Sequence, residues 1–254
     1  MSSVTFHQEG KIGIIEINYP STLNSLGKEV RIGLNEKLQI VEESDLRVLI
    51  IKGNQRSFST GGDLNELGKL KNTVDAKEYV RDVHKVIKKI YGMTQVTIAL
   101  VEGYAVGAGM SMAAACDLIY AGEKAKFSIP FLNVGLVPDC GASYLLTRLV
   151  GIQKAKELAF SRKIIDAPEA LRIGLIADVF PANNALDETK SIANQIAQGP
   201  PKALAMAKSN IEIAAQIGFE ATLTLEENTQ GLLIFGAEHL EGRQAFFERR
   251  KSSF

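Results

Sequence analysis

A mixed α/β fold with a largely parallel sheet is what the sequence predicts, and three observations carry the prediction. Apolar runs at 47–51, 96–101 and 118–121 lack polar alternation, as strands buried on both faces do. Helical stretches lie between these runs, so neighbouring strands need crossover connections. From Cys140 onward the pattern is mostly helical, with one short strand near 178–180. A chain of 254 residues, 46% hydrophobic and 23% charged, has enough apolar material for a substantial core and is not a disordered polymer.

The elements follow in order. Residues 4–7 and 12–17 are β-rich and flank Gly10, which predicts a hairpin. A helix over 28–43 places Val30, Leu34, Leu38 and Val41 on one face. The strand at 47–51 runs into a Gly/Ser-rich loop at 53–63 (GNQRSFSTGGD). A helix over 76–90 leads to the strand at 96–101, then to GYAVGAG and a small-residue helix at 110–116. A third buried strand at 118–121 and a short one at 126–129 follow. After Gly199-Pro200-Pro201 only helices are expected, at 203–217, 219–233 and 238–250. The Gly-Pro-Pro break divides an α/β core, 1–198, from a helical region, 199–254.

Charge and composition narrow the function. Basic and acidic residues balance at 29 each, so no nucleic-acid partner is expected. Cys116 and Cys140 sit in apolar surroundings and read as buried thiols of a reducing compartment. His7, His84 and His239 are far apart and nothing has metal-ligand spacing, so no metal is expected. The first residues, MSSVTFHQEGKI, lack the pattern of a signal peptide, and the longest apolar run, 105–116, is too short to cross a bilayer. A cytoplasmic protein with no membrane partner is the expectation.

Two segments share one design: a buried strand, a glycine-rich turn, then a helix. The first ends in Phe58-Ser59-Thr60-Gly61-Gly62-Asp63, the second in Gly103-Tyr104-Ala105-Val106-Gly107-Ala108-Gly109. Glycines let backbone approach a ligand, and helix starts present unpaired N–H groups. Two such turns can aim two donors at one oxygen, an oxyanion hole suited to acyl or enolate chemistry. Close packing alone accounts for the glycines equally well. A dinucleotide fingerprint fails at Met112, where its third glycine belongs. A nucleophile elbow around Ser111 lacks its last glycine, and the only downstream histidine is His239, in the helical tail. Ser111 is more simply a small packing residue. Asp139, after Pro138 and before a helical run, is either an N-cap or a carboxylate in the wall of an apolar cleft with Phe131, Leu132, Leu136 and Val137.

The run 98–119 (IALVEGYAVGAGMSMAAACDLI) resembles the signature of the enoyl-CoA hydratase/isomerase, or crotonase, superfamily. Residues 58–64 (FSTGGDL), 20–26 (PSTLNSL) and 245–254 (AFFERRKSSF) resemble three further segments of that family, in the right order along the whole chain. The resemblance implies a crotonase-like spiral of ββα units followed by a helical trimerisation region, and a homotrimer or a hexamer built of two trimers. It implies an acyl-CoA thioester as substrate and no separate cofactor. Carried over by position, the Gly62 and Ala108 N–H groups would hold the thioester oxygen. Backbone around Ser25, Leu26, Thr60, Asp63 and Leu64 would line the adenine and pantetheine path. Phe246 and Arg249 would complete the site, on a neighbouring subunit.

The departures from the family pattern bear on the reaction. Family hydratases use two glutamates; Ser111 and Phe131 stand at those positions here, and neither is a carboxylate base. Family isomerases that shift a double bond carry a carboxylate at the position of Asp139. The resemblance therefore implies a Δ3,Δ2-enoyl-CoA isomerase-like 1,3 proton transfer with Asp139 as the single base. A hydratase of low activity and a non-catalytic acyl-CoA-binding oligomer are the alternatives. Asp63 is expected at a turn or helix start and Glu66 on the solvated surface. Glu102 is expected to be structural, and Tyr104 and Tyr144 either to donate a hydrogen bond to substrate or, as is more common, to pack as buried aromatics. The cluster Arg249-Arg250-Lys251 reads as a solvated helix end or a phosphate contact.

Overall fold

The structure, a computed structural model, describes residues 3–181 and 183–254. β1 (Val4–Glu9) and β2 (Ile12–Ile17) pair antiparallel around Gly10, whose φ of +59° favours glycine. α1 (Lys28–Glu42) follows. Three ββα turns come next. The first is β3 (Val48–Lys52), β4 (Ser57–Ser59), α2 (Leu64–Leu67) and α3 (Thr73–Gly92). The second is β5 (Val96–Val101), β6 (Tyr104–Val106) and α4 (Ala108–Ala114). The third is β7 (Leu118–Gly122), β8 (Lys126–Ser128) and α5 (Ala142–Leu149).

The first strand of each turn joins one sheet, in the order β1-β2-β3-β5-β7-β10, parallel from β2 onward. The second strand of each turn joins a smaller sheet, β4-β6-β8-β9. α6 (Gly151–Ser161), β9 (Ile165–Asp166), α7 (Ala167–Arg172), β10 (Asp178–Phe180) and α8 (Ala185–Ala197) close the core. Each chain turn thus advances both sheets by one strand.

Period-2 alternation explains why the buried strands are apolar throughout. Ile14, Ile50 and Ile98 are in register on one face of the large sheet and pack with Ala185, Ala193 and Ala197 of α8. Ile15, Ile51, Ala99 and Ile119 are in register on the other face, in the main core with Leu34, Phe58 and Phe127.

α9 (Pro201–Ala214), α10 (Phe219–Ile234) and α11 (Ala237–Glu248) form the C-terminal region. α9 is tied to the core by the Lys208 ammonium, 2.9 Å from Asp117 Oδ2. That oxygen also accepts the Thr97 N–H at 2.6 Å and the Thr97 hydroxyl at 2.9 Å. The Arg47 guanidinium donates to the carbonyls of Ala197 at 2.8 Å and Phe254 at 2.6 Å. Beyond these ties, Phe219, Leu232, Phe235 and Phe247 are largely exposed, an apolar surface of the kind that proteins use for association. Among the described residues no helix is long and apolar enough to cross a membrane.

Candidate functional site

The two glycine turns meet. A Cβ built on Gly61 would stand 2.7 Å from the Val106 carbonyl oxygen and 2.8 Å from the Ala108 nitrogen, and Gly61 has a φ of +87°. A Cβ on Gly109 would stand 2.2 Å from the Ser59 carbonyl oxygen. Only glycine permits this approach at either place, so the turn after β4 is pressed onto the start of α4. This close packing brings the two turns together. Among the described residues, neither the Gly62 nor the Ala108 N–H donates a hydrogen bond within the chain.

The first turn is held from several sides. The Leu26 N–H donates to the Gly61 carbonyl at 2.7 Å. The Thr60 hydroxyl donates to the carbonyls of Thr22 at 3.1 Å and Leu23 at 3.3 Å. Asp63 caps α2, its Oδ1 accepting the N–H of Asn65 at 2.9 Å and of Glu66 at 3.3 Å. Its own N–H donates to the Tyr79 phenol oxygen at 3.2 Å. Burial pushes the Tyr79 phenol above its usual range, so it remains a neutral partner.

Glu66 is not a free surface carboxylate. It accepts the Lys28 N–H at 2.6 Å and pairs with Arg31 at 2.9 Å, which locks α2 to the start of α1. The Arg31 guanidinium lies 4.7 Å from the centre of the Tyr79 ring. Ser25 and the Leu26 side chain are buried beneath this turn, whereas Leu64 is exposed above it.

Ser111 joins the second turn to the third segment. Fully buried in α4, it donates its hydroxyl to the Gly107 carbonyl at 3.2 Å and to the Asp139 carbonyl at 3.1 Å. It is therefore a brace for Asp139 as well as a packing residue. Phe131 lies over Gly107, whose built Cβ would meet the ring at 3.8 Å.

Asp139 is not an N-cap. α5 starts three residues later, at Ala142, because Cys140 and Gly141 both take left-handed backbone, with φ of +55° and +82°. Among the described residues no N–H reaches the carboxylate, and Asp139 Oδ1 is buried without a hydrogen-bond partner. A buried, unpaired carboxylate oxygen is costly, which makes Asp139 a candidate for chemistry.

Two neighbours of Asp139 were not marked as site residues by sequence. His84, on α3, places a ring nitrogen within 4.8 Å of both an Asp139 oxygen and the Cys140 sulfur. Burial, followed by the adjacent Asp139 charge, pushes the Cys140 thiol up, which keeps it protonated and a poor metal ligand. The only sign of His84 in the sequence is its place between Val83 and Ile87 on the buried side of the helix. Behind this group, a cavity of about 320 Å³ is lined by Ile87, Tyr91, Tyr144 and Leu145. Tyr91 and Tyr144 meet edge to face, with centroids 6.5 Å apart, and Arg148 stacks on Tyr144.

Phe246 and Arg249 stand elsewhere. α11 packs on α10, Phe246 is 78% exposed against Phe247, and neither residue bonds to the two turns among the described residues. Arg250, not Arg249, is engaged, in ion pairs with Glu241 and Glu248.

A spiral of ββα turns, two abutting glycine turns and a carboxylate on a backbone that Ser111 braces make up the candidate site of this α/β fold. Residues 7–254 match the enoyl-CoA hydratase/isomerase family, and the chain belongs to that family. It is 30% identical over 253 residues to a short-chain-enoyl-CoA hydratase of Clostridium acetobutylicum, covering 99% of this chain and 97% of that one. It is 30% identical to a 2,3-dehydroadipyl-CoA hydratase of Escherichia coli, covering 100% and 99%. The crystal structure of an enoyl-CoA hydratase from Bacillus anthracis superposes with a TM-score of 0.95 at 28% identity, covering 99% and 98%. The chain is thus an enzyme of this family with a crotonase-like fold.

Proposed function

We propose that this enzyme shifts a carbon–carbon double bond in an acyl-CoA thioester, converting a 3-enoyl-CoA to a 2-enoyl-CoA. The observation that carries the reading is Asp139: a half-buried carboxylate with one oxygen unpaired, on a residue whose backbone carbonyl Ser111 ties to the helix that begins at Ala108. Ser111 and Phe131, at the two positions where the resemblance puts the hydratase glutamates, supply no second carboxylate.

Asp139 takes a proton from C-2, between the thioester and the double bond. The electrons pass to the thioester oxygen, which the Gly62 and Ala108 N–H groups hold as a dienolate. The same carboxyl returns the proton at C-4, and the double bond comes to rest between C-2 and C-3. Phe131, over Gly107, shields the site from water, which keeps the proton on the carboxyl between the two steps. The acyl chain runs toward the cavity beside Tyr91 and Tyr144. Coenzyme A lies along Ser25, Leu26, Thr60, Asp63 and Leu64. Phe246 and Arg249 reach such a site only from another copy, which fits the exposed apolar faces of the C-terminal helices and a trimer or a dimer of trimers.

A second reading, hydration of a 2-enoyl-CoA with Asp139 alone, is favoured by the printed names of the relatives. Incubation with 3-hexenoyl-CoA and, separately, 2-hexenoyl-CoA decides between them. Conjugation of the first without water addition to the second supports the isomerase. Product from the second heavier by one water overturns it in favour of hydration.

A further inference from the structure

We propose that His84 is a positioning residue for Asp139, so that base function rests on a His–Asp pair contributed by two different elements. The inference rests on Asp139 being the base. Two buried polar atoms in this region lack a hydrogen-bond partner among the described residues: His84 Nε2 and Asp139 Oδ1. A ring nitrogen of His84 lies within 4.8 Å of an Asp139 oxygen. A small rotation of either side chain, or one bridging oxygen, closes that gap. Each atom is what the other lacks: a neutral imidazole offers an N–H, and a carboxylate accepts one. Two independent burials without partners, at one place, are better explained by a pair than by two separate costs.

The backbone supports the same view. Asp139 stands on a segment whose next two residues have positive φ, and Ser111 holds its carbonyl, not its carboxylate. The carboxylate therefore needs a second contact to fix its direction. α3 supplies it: Val83, Val86, Ile87 and Ile90 anchor the helix in the core, and His84 lines one cavity with Cys140 and Tyr144. The Cys140 sulfur lies within 4.8 Å of both a His84 ring nitrogen and an Asp139 oxygen, and burial keeps it a thiol. No proton is consumed overall. Asp139 takes it from C-2 and returns it at C-4, while His84 holds the carboxyl in line with both carbons.

The test compares wild type, Asp139→Asn, His84→Leu and His84→Gln, with 3-hexenoyl-CoA for turnover and saturated hexanoyl-CoA for binding. His84→Leu keeps the shape but offers no N–H; it is expected to lower kcat about 10–100-fold, the scale for a misplaced reacting group. KM and hexanoyl-CoA affinity should stay within about threefold, because the thioester and coenzyme A contacts are elsewhere. His84→Gln, which presents an amide N–H near the Nε2 position, should return to within about fivefold of wild type. A purely structural His84 would instead make both variants equally poor, in binding as well as in kcat, and that result overturns the proposal. Wild-type kcat in His84→Leu alongside an inactive Asp139→Asn overturns it while leaving Asp139 as the base. Equal activity of wild type and Asp139→Asn removes the base itself, and the pair with it.

Discussion

Gly61→Ala wedges the two glycine turns apart while leaving both proposed N–H donors in the chain. A Cβ at Gly61 would stand 2.7 Å from the Val106 oxygen and 2.8 Å from the Ala108 nitrogen, whereas ordinary contact begins near 3.4 Å. The difference, 3.4 − 2.7, means that the turn must retreat by about 0.7 Å. A hydrogen bond of about 2.9 Å lengthened by that amount is no longer a good one. Losing one oxyanion donor lowers kcat by about 10²–10³-fold. The φ of +87° adds strain to any side chain there, of about 1–3 kcal/mol, or about 2–12 °C in Tm at this chain length.

Gly62→Ala is the control. Its Cβ would meet only the Tyr79 hydroxyl at 3.5 Å and a Leu67 methyl at 3.9 Å, and the N–H is retained. It should stay within about tenfold of wild type. The assay is kcat on 3-hexenoyl-CoA with a thermal melt of each variant. A Gly61→Ala protein with wild-type kcat, or a Gly62→Ala protein equally damaged, would refute the reasoning that the abutting turns form the reactive site.

Other expectations follow from single contacts. Ser111→Ala removes the brace on the Asp139 carbonyl and should cost about 1 kcal/mol in a denaturant melt and part of kcat, leaving clear activity; a dead enzyme would instead favour a serine nucleophile. Asp117→Ala leaves Lys208 unpaired, and the two side chains are only 18% and 10% exposed. It should cost about 2–3 kcal/mol, or about 4–12 °C in Tm, read by calorimetry. Burial raises the Glu102 carboxyl above its ordinary 4.5, so its folded value exceeds its unfolded one. Stability from this group is complete below 4.5 and is lost as pH rises through the folded value. Glu102→Gln should therefore melt higher than wild type at pH 7, with the gap closing in acid.

The large sheet was legible because its strands are long enough to show an apolar run: the expected 47–51 and 96–101 correspond to β3 and β5. The smaller sheet was less so. β4, β6 and β9 are two or three residues long and lie within or beside glycine turns, so their pairing is decided by distant chain, not local pattern. The two glycine turns could be found as motifs, but their contact, through Gly61 and Ala108, is a tertiary fact. Asp139 was legible as a candidate, while its N-cap alternative could be settled only by the left-handed backbone of Cys140 and Gly141. His84 carried almost no signal, because one histidine on the inner side of a helix looks like core.

The most direct measurement follows a proton. 3-Hexenoyl-CoA carrying two deuterium atoms at C-2 is converted in ordinary water, and the earliest product is weighed. A single shielded carboxyl, with Asp139 Oδ1 buried, moves deuterium from C-2 to C-4, so part of the product keeps both labels and Asp139→Asn forms none. Product that has lost one deuterium from every molecule, at the same rate with Asp139→Asn, would contradict Asp139 as the carrier.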